Sequence, residues 1–301
     1  MKIKRGDIEG SLSDYVQNII LRAVLDSVMV LPFAWRLKTI GFFTSRIIGP
    51  LVGYNARVRD NLALIFPDLP SRDVRRLMRR VPANTGRTLA ELYSGADFKD
   101  RAKMAKISGD GLEDLEAAMA KNQGVILVSG HLGSYEVARA VLFERGFNVG
   151  ALFKPFSNPF FDPYYQRKIG EISQPIIPSK DRASLVKMIR FLKSGGMVGM
   201  LIDVHTYGAP HLQFFGKRAA TATSAADLAL KHNLALVPIY GIRLDDHGHY
   251  ELIIEKPIAH TTPREMMQAV NDSIEHQARA HMDQYFWIHR RWKAETKSRA
   301  I

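Results

Sequence analysis

Apolar residues crowd the beginning of the chain. Val16 to Leu37 (VQNIILRAVLDSVMVLPFAWRL) is strongly apolar, yet Arg22 and Asp26 interrupt it and Pro32 breaks it. Ile40 to Tyr54 repeats the pattern around Arg46, Gly49 and Pro50. The uninterrupted runs are too short to span a bilayer comfortably. The pattern therefore predicts two amphipathic helices lying in a membrane interface, with Trp35, Phe42 and Phe43 at headgroup depth. A helical hairpin packed on the protein's own core fits the same pattern, and a single tilted membrane-spanning helix is a third reading. From Ser71 to Arg80 a helix carries Arg72, Arg75, Arg76, Arg79 and Arg80, several of them on one face. Helical spacing continues through Ala90–Tyr93 to about Lys106, so residues 1–107 read as a helical, basic, membrane-associating lobe.

After Ile107 the pattern changes to alternating strands and helices. Buried strands are predicted at Val125–Val128, Asn148–Lys154, Pro175–Pro178, Met197–Ile202, Leu234–Arg243 and Tyr250–Ile254. Helices are predicted at about Phe160–Glu171, Asp181–Lys193, Thr223–His232 and Pro263–Asp283. This alternation makes residues 108–301 an α/β domain, with a largely parallel central sheet flanked by helices.

The stretch Gly124 to Arg139 (GVILVSGHLGSYEVAR) concentrates the candidate chemistry. A strand buried on both faces stops at Ser129-Gly130, His131 follows at once, and Ser134 is placed to cap the next helix. A histidine thus stands in the crevice at the carboxyl end of a central strand, where open α/β sheets bind ligands. Glu136, in the first helical turn, is placed to fold back toward the imidazole, and Gly130 and Gly133 allow close approach of a ligand. A neutral imidazole with a carboxylate behind it is a general base for a hydroxyl or an amine. Gly-x-Ser-x-Gly and cysteine are both absent, which favours direct transfer over a covalent enzyme intermediate. On the pattern alone, His131 fits equally well as the end of a strand–helix turn.

Composition narrows the partners. Hydrophobic residues make up 46% of the 301 positions and charged ones 24%, as in a folded globular protein. The lack of cysteine excludes disulfides and thiolate metal sites. A net charge of +12 calls for an anionic partner such as a membrane surface, a phosphorylated lipid or an acidic carrier protein. No nucleic-acid motif accompanies the basic residues, and His205, His211, His232, His247 and His249 match no metal-ligand spacing. The segment Asp203–Thr223 reads as a long functional loop. In it Lys217 and Arg218 are candidates for a phosphate or a pantetheine-linked donor, and Phe214-Phe215 for the wall of an acyl channel or a core-packed pair. Asp283–Lys293 (DQYFWIHRRWK) reads either as a membrane-interface stretch or as an aromatic anchor for the last helix.

The box His131-x-x-x-x-Glu136, inside GHLGSYE, resembles that of glycerolipid-type acyltransferases. Its setting resembles the lipid A biosynthesis acyltransferases, the late lauroyl and myristoyl transferases of Gram-negative bacteria. RDNLALIFPDLP, NPFFDP, LIDVHTYGAPHLQFFGKRAATATSAADLALK and QYFWIHRRWK agree in the same order, from about residue 57 to 293. The resemblance implies transfer of an acyl chain from acyl carrier protein to a hydroxyl of a lipid A precursor, on the cytoplasmic face of the inner membrane and without a cofactor. It implies His131 as base and Glu136 as its orienting partner. Asp203, Phe215, Gly216, Lys217 and Arg218 match family blocks and are implied substrate contacts. Arg167, in YYQRKIG, is an imperfect match to an Arg-rich segment that follows N-P-x-x-D in the family. Transfer to another lipid acceptor, such as a phosphatidylinositol mannoside or an ornithine lipid, and a catalytically silent lipid-binding scaffold are the alternatives.

Overall fold

A computed structural model describes residues 2–293; residues 294–301 of the expected 108–301 unit lie outside the described residues. A short hairpin, β1 (Lys2–Arg5) and β2 (Ile8–Ser11), opens the chain. The central sheet holds seven strands: β3 (Lys106–Ser108), β4 (Val125–Ser129), β5 (Val149–Phe153), β6 (Ile176–Pro178), β7 (Met197–Leu201), β10 (Ala235–Arg243) and β11 (Tyr250–Ile254). Their spatial order is β3-β11-β10-β4-β7-β5-β6, and only β10 and β11 run antiparallel to each other. All five residues of β4 are buried, as a strand covered by helices on both faces must be. Its side chains alternate: Ile126 and Val128 enter one core with Met266, Val270 and Trp287, while Val125 and Leu127 enter the other with Phe98, Leu115 and Val137.

The N-terminal helices have two faces. Ser11 and Asp14 form a reciprocal cap that starts the Leu12–Met29 helix, and after Pro32 a second helix runs from Phe33 to Phe43. Phe33 and Leu37 pack into the sheet's second core beside Ala90 and Phe98. Ile19, Ile20, Val24, Trp35, Phe42, Phe43, Ile48 and Leu51 stay exposed. The hairpin therefore packs on the core and also presents an apolar outer face. No helix among the described residues is long and apolar enough to cross a membrane.

The basic helix is longer than its arginines alone suggest, running from Ser71 to Tyr93, and the chain turns at Gly95 into the Ala96–Ala102 helix. Pro82 lies inside this helix, and nearby the Ser45 hydroxyl donates to the Arg79 carbonyl at 2.8 Å. Asp203–Thr223 is not a structureless loop. It contains a hairpin, β8 (His211–Phe214) and β9 (Lys217–Ala220), packed against the Pro263–Ala280 helix through Asn271 and Gln268.

Candidate active site

Two neighbouring parallel strands build the site. Ser129 of β4 and Leu201 of β7 are register partners, and two residues beyond each stand His131 and Asp203. The Asp203 carboxylate accepts the backbone N–H of His131 through Oδ2 at 2.9 Å and meets Nδ1 of the ring through Oδ1 at 2.7 Å. A Cβ on Gly130 would lie 3.1 Å from Oδ2 of Asp203 and 2.9 Å from Ile274, so glycine permits this close approach. At Gly133 the chain takes a positive φ of 58° against the Gly241 carbonyl and turns into the Glu136–Glu144 helix.

Asp203 is 4% exposed and is also approached by the Tyr285 hydroxyl and the charge of Arg291. Burial works against ionising it, but His131 and the hydrogen bonds it donates hold the carboxyl below its ordinary range. Burial likewise opposes charging of His131, and the Asp203 charge and hydrogen bond outweigh it, so the imidazole sits above its usual value. The ring lies between Tyr135 at 5.8 Å and Phe286 at 5.6 Å, centroid to centroid. With Nδ1 committed to Asp203, Nε2 is the nitrogen left for chemistry.

That nitrogen belongs to a side chain shared by two cavities. One, of about 300 Å³, runs between Thr44, Ile48, Tyr54, Thr85 and Leu89 toward His131. The other, of about 460 Å³, reaches His131 from Phe153, Lys154, Tyr165 and Met200. His131 and Tyr135 line both.

The expected pairing of Glu136 with the imidazole is corrected. Glu136 points instead to Arg139, with Oε2 at 2.9 Å from Nη1, and Asp203 takes the place behind the ring. Arg139 is anchored in turn by Ser173 and the Ile169 carbonyl. Glu136 nevertheless lines the larger cavity together with His131, and its Oε2 is buried without accepting a hydrogen bond. Burial pushes this carboxyl up, against the pull of Arg139. Ser134 caps nothing: its hydroxyl is buried and unbonded, and Tyr135 holds the helix-start position.

The remaining expected contacts lie away from the imidazole. Arg167 stacks over Tyr164 at 5.3 Å, beside the N-terminal helices, and lines neither His131 cavity. Phe215 is buried in an aromatic cluster with Phe66, Tyr285 and Trp287, and its N–H donates to Glu275. Gly216, at a φ of 67°, makes the tip of the β8–β9 hairpin. Lys217 and Arg218 lie on β9 and line neither cavity. The chain does not wall an acyl channel with Phe214-Phe215; it uses them to pack the core.

Sequence reasoning missed how the last segment completes the site. Trp287 and Trp292 are 0% and 2% exposed, which selects the anchor reading over the membrane-interface one. Phe286 donates its N–H to the His131 carbonyl at 3.0 Å. Buried Arg291 donates to the carbonyls of Val204 and Ala220 and to the Thr221 hydroxyl, tethering the chain on either side of the hairpin. His289 accepts the His205 N–H through Nε2 at 2.8 Å, which needs a neutral ring, and burial lowers its pKa to about 4. Asn61, in the RDNLALIFPDLP block, donates to the Trp287 and His289 carbonyls at 2.6 and 2.9 Å. The signal was the co-occurrence of these blocks, whose residues meet in one cluster.

The family model described as bacterial lipid A biosynthesis acyltransferase matches residues 4–294. The chain is 28% identical over 247 residues to the lipid A biosynthesis lauroyltransferase of Escherichia coli K12, covering 78% of each chain. It is 24% identical over 248 residues to a lipid A biosynthesis acyltransferase of Haemophilus influenzae, covering 79% of this chain and 77% of the relative. To the lipid A biosynthesis palmitoleoyltransferase of Escherichia coli K12 it is 26% identical over 241 residues, covering 78% and 77%.

Proposed function

The chain belongs to the bacterial lipid A biosynthesis acyltransferase family and is an acyltransferase, and from that premise we propose that it moves a fatty acyl chain from acyl carrier protein to a hydroxyl of a lipid A precursor at the cytoplasmic face of the inner membrane. The observation that carries this reading is the His131–Asp203 pair at the meeting point of two cavities. Nδ1–H of the neutral imidazole donates to Asp203, and Nε2 takes the proton of the acceptor hydroxyl as its oxygen attacks the thioester carbonyl. A C–O bond forms, the C–S bond breaks, and the imidazolium returns the proton to the departing thiolate. Asp203 fixes the tautomer and stabilises the ring while it is charged. Glu136, ion-paired to Arg139, places a buried carboxylate in the wall of the larger cavity beside His131. The acyl thioester is a co-substrate, and no cofactor takes part.

The two cavities give the two substrates separate approaches to one nitrogen. The smaller begins beside Ile48 and Leu89, which are exposed with the apolar outer face of the N-terminal helices, and suits the lipid. The larger has Lys154 on its wall, which suits an acidic carrier. That apolar face and the net charge of +12 support seating at an anionic bilayer surface.

Transfer from acyl carrier protein to a purified lipid A precursor tests the reaction. His131→Ala should lower turnover by about 10²-fold or more with the thermal midpoint retained. Near-wild-type turnover would overturn the base assignment. Lipid A from cells lacking the protein should be one acyl chain short by mass spectrometry, and an unchanged spectrum would overturn the acceptor.

A further inference from the structure

A second feature lies across the Ser71–Tyr93 helix from the His131 cavity. Lys38 and Arg46 of the N-terminal helical segment and Arg79, Arg80 and Arg87 of the long helix line one groove of about 410 Å³, floored by Gly41, Ser45 and Ala83. Among the described residues Asp246 is the only acid on its walls and pairs with Arg87 at 2.9 Å; Arg80 pairs with Asp283 at 2.8 Å. Among the described residues no carboxylate pairs with Lys38, Arg46 or Arg79. The Nε of Arg87 is buried with no acceptor. Burial lowers the affinity of that guanidinium for its proton, as do the charges of Arg243 and Arg80, against the pull of Asp246. Cations gathered in a concavity, with too few acids and an orphaned donor, are built for an anion with several acceptor oxygens.

The groove and the His131 cavity are neighbours that share walls. Arg80, Arg87 and Asp246 also line a hollow of about 60 Å³, and Asn84 and Gln284 of that hollow line the smaller His131 cavity. The walls of this hollow are polar apart from Leu244, with Asp245, Asp246 and Asp283 among its arginines, unlike the cavity beside Ile48 and Leu89. On its outer side the groove is bounded by Phe42, exposed on the apolar face. One amphiphile can therefore place an apolar chain beside His131 and an anionic group among the arginines.

We propose that the groove between Lys38, Arg46, Arg79, Arg80 and Arg87 binds a phosphate group carried by the lipid acceptor. The proposal rests on the acyl-transfer reading above and adds the chemical mark by which the acceptor is recognised. A phosphate monoester supplies about 1.5 to 2 negative charges and three acceptor oxygens, enough for the two unpaired arginines and the free donor of Arg87.

The test uses the full chain in neutral detergent, with a glucosamine disaccharide lipid bearing its phosphates and the same lipid after phosphatase treatment. For the wild type, removing the phosphates should raise the acceptor KM by about ten-fold or more, and for Arg46→Gln/Arg79→Gln the two acceptors should have nearly the same KM. A double variant that keeps the wild-type ratio overturns the proposal. Flotation with phosphatidylcholine vesicles, with and without phosphatidylglycerol, separates the sources. If the variant loses only its preference for phosphatidylglycerol vesicles and still discriminates between the acceptors, the groove reads bulk headgroups and the proposal fails. If the wild type acylates neither lipid, the acyl-transfer reading fails by itself. Direct retention of phosphorylated against dephosphorylated lipid then decides the groove: equal retention by wild type and variant overturns it, and loss in the variant supports it.

Discussion

His131 and Asp203 face each other because each stands two residues beyond a register pair, Ser129 and Leu201, on adjacent parallel strands. A single residue, Gly130 or Ile202, separates each of them from its strand. The ring is positioned by the same hydrogen bonds that hold the core, and the carboxylate grips it both at Nδ1 and at the backbone.

Asp203→Asn should lower kcat/KM by about 10²-fold or more while the protein remains folded. The sign of the accompanying pH effect follows from what raises the His131 pKa. Asp203 favours the imidazolium and burial disfavours it; with the charge removed, burial dominates and the pKa falls. Because the base works when neutral, the acidic limb of the pH–rate profile should move to lower pH in the variant. A limb that stays in place would remove Asp203 from behind the ring.

Glu136→Gln should be damaging for two separable reasons. It leaves buried Arg139 without a counter-charge, a loss of about 3–5 kcal/mol for a broken buried pair, and it removes a negative charge from the wall of the larger cavity. Adding Arg139→Met should recover much of the thermal midpoint without recovering turnover. If activity returns with stability, Glu136 has a structural role alone.

Membrane seating can be probed without disturbing the core. Deleting residues 1–54 would remove Phe33 and Leu37, which pack beside Ala90 and Phe98, so the truncated protein would be expected to unfold. Ile20→Ser, Val24→Ser and Phe42→Ser change only exposed side chains. Together they should weaken partition into phosphatidylglycerol-containing vesicles by at least about ten-fold, since each buried apolar side chain contributes roughly 1.5–3 kcal/mol. The thermal midpoint should be preserved. Undiminished sedimentation with vesicles would move the attachment elsewhere.

Arg291→Leu removes donors to Val204, Ala220 and Thr221 inside the core. Unmet acceptors of this kind cost about 1–3 kcal/mol each, so the thermal midpoint should drop by several degrees. Asp203, reached through the neighbouring Val204, should lose its fixed position, lowering kcat more than it raises KM. A stable variant with normal kcat would detach the C-terminal tether from the site.

The sheet was legible because its strands are short apolar runs bounded by turn residues, and β4, β7, β10 and β11 fall within a residue or two of where the pattern puts them. His131 was legible for the same reason: it stands where a central strand ends. Its partner was misread because spacing along a helix brings Glu136 near in sequence, whereas strand register brings Asp203 near in space, across 72 residues. Asp203 and Phe215 share one motif, yet one touches the imidazole and the other fills the aromatic core. The polarity of Lys217 and Arg218 suggested ligand contact, but β9 carries them on a hairpin outside both cavities. Pattern identifies elements well, but it does not reveal which loop ends meet.

The bond from Asn61 to the Trp287 carbonyl spans 226 positions, and its meaning lies in the order of synthesis. A nascent chain exposes its apolar first helices long before Tyr285, Phe286 and Arg291 are added. Once Asp203 has been added both dyad residues exist, but the ring still lacks Phe286 on one side and the carboxylate lacks Tyr285 and Arg291. If the apolar face seats the chain on a bilayer as proposed, seating comes before the site is complete. On the reading proposed above, a polypeptide cut short before Tyr285 would carry both His131 and Asp203 and still be inert, because Phe286 and Arg291 would be missing from around them.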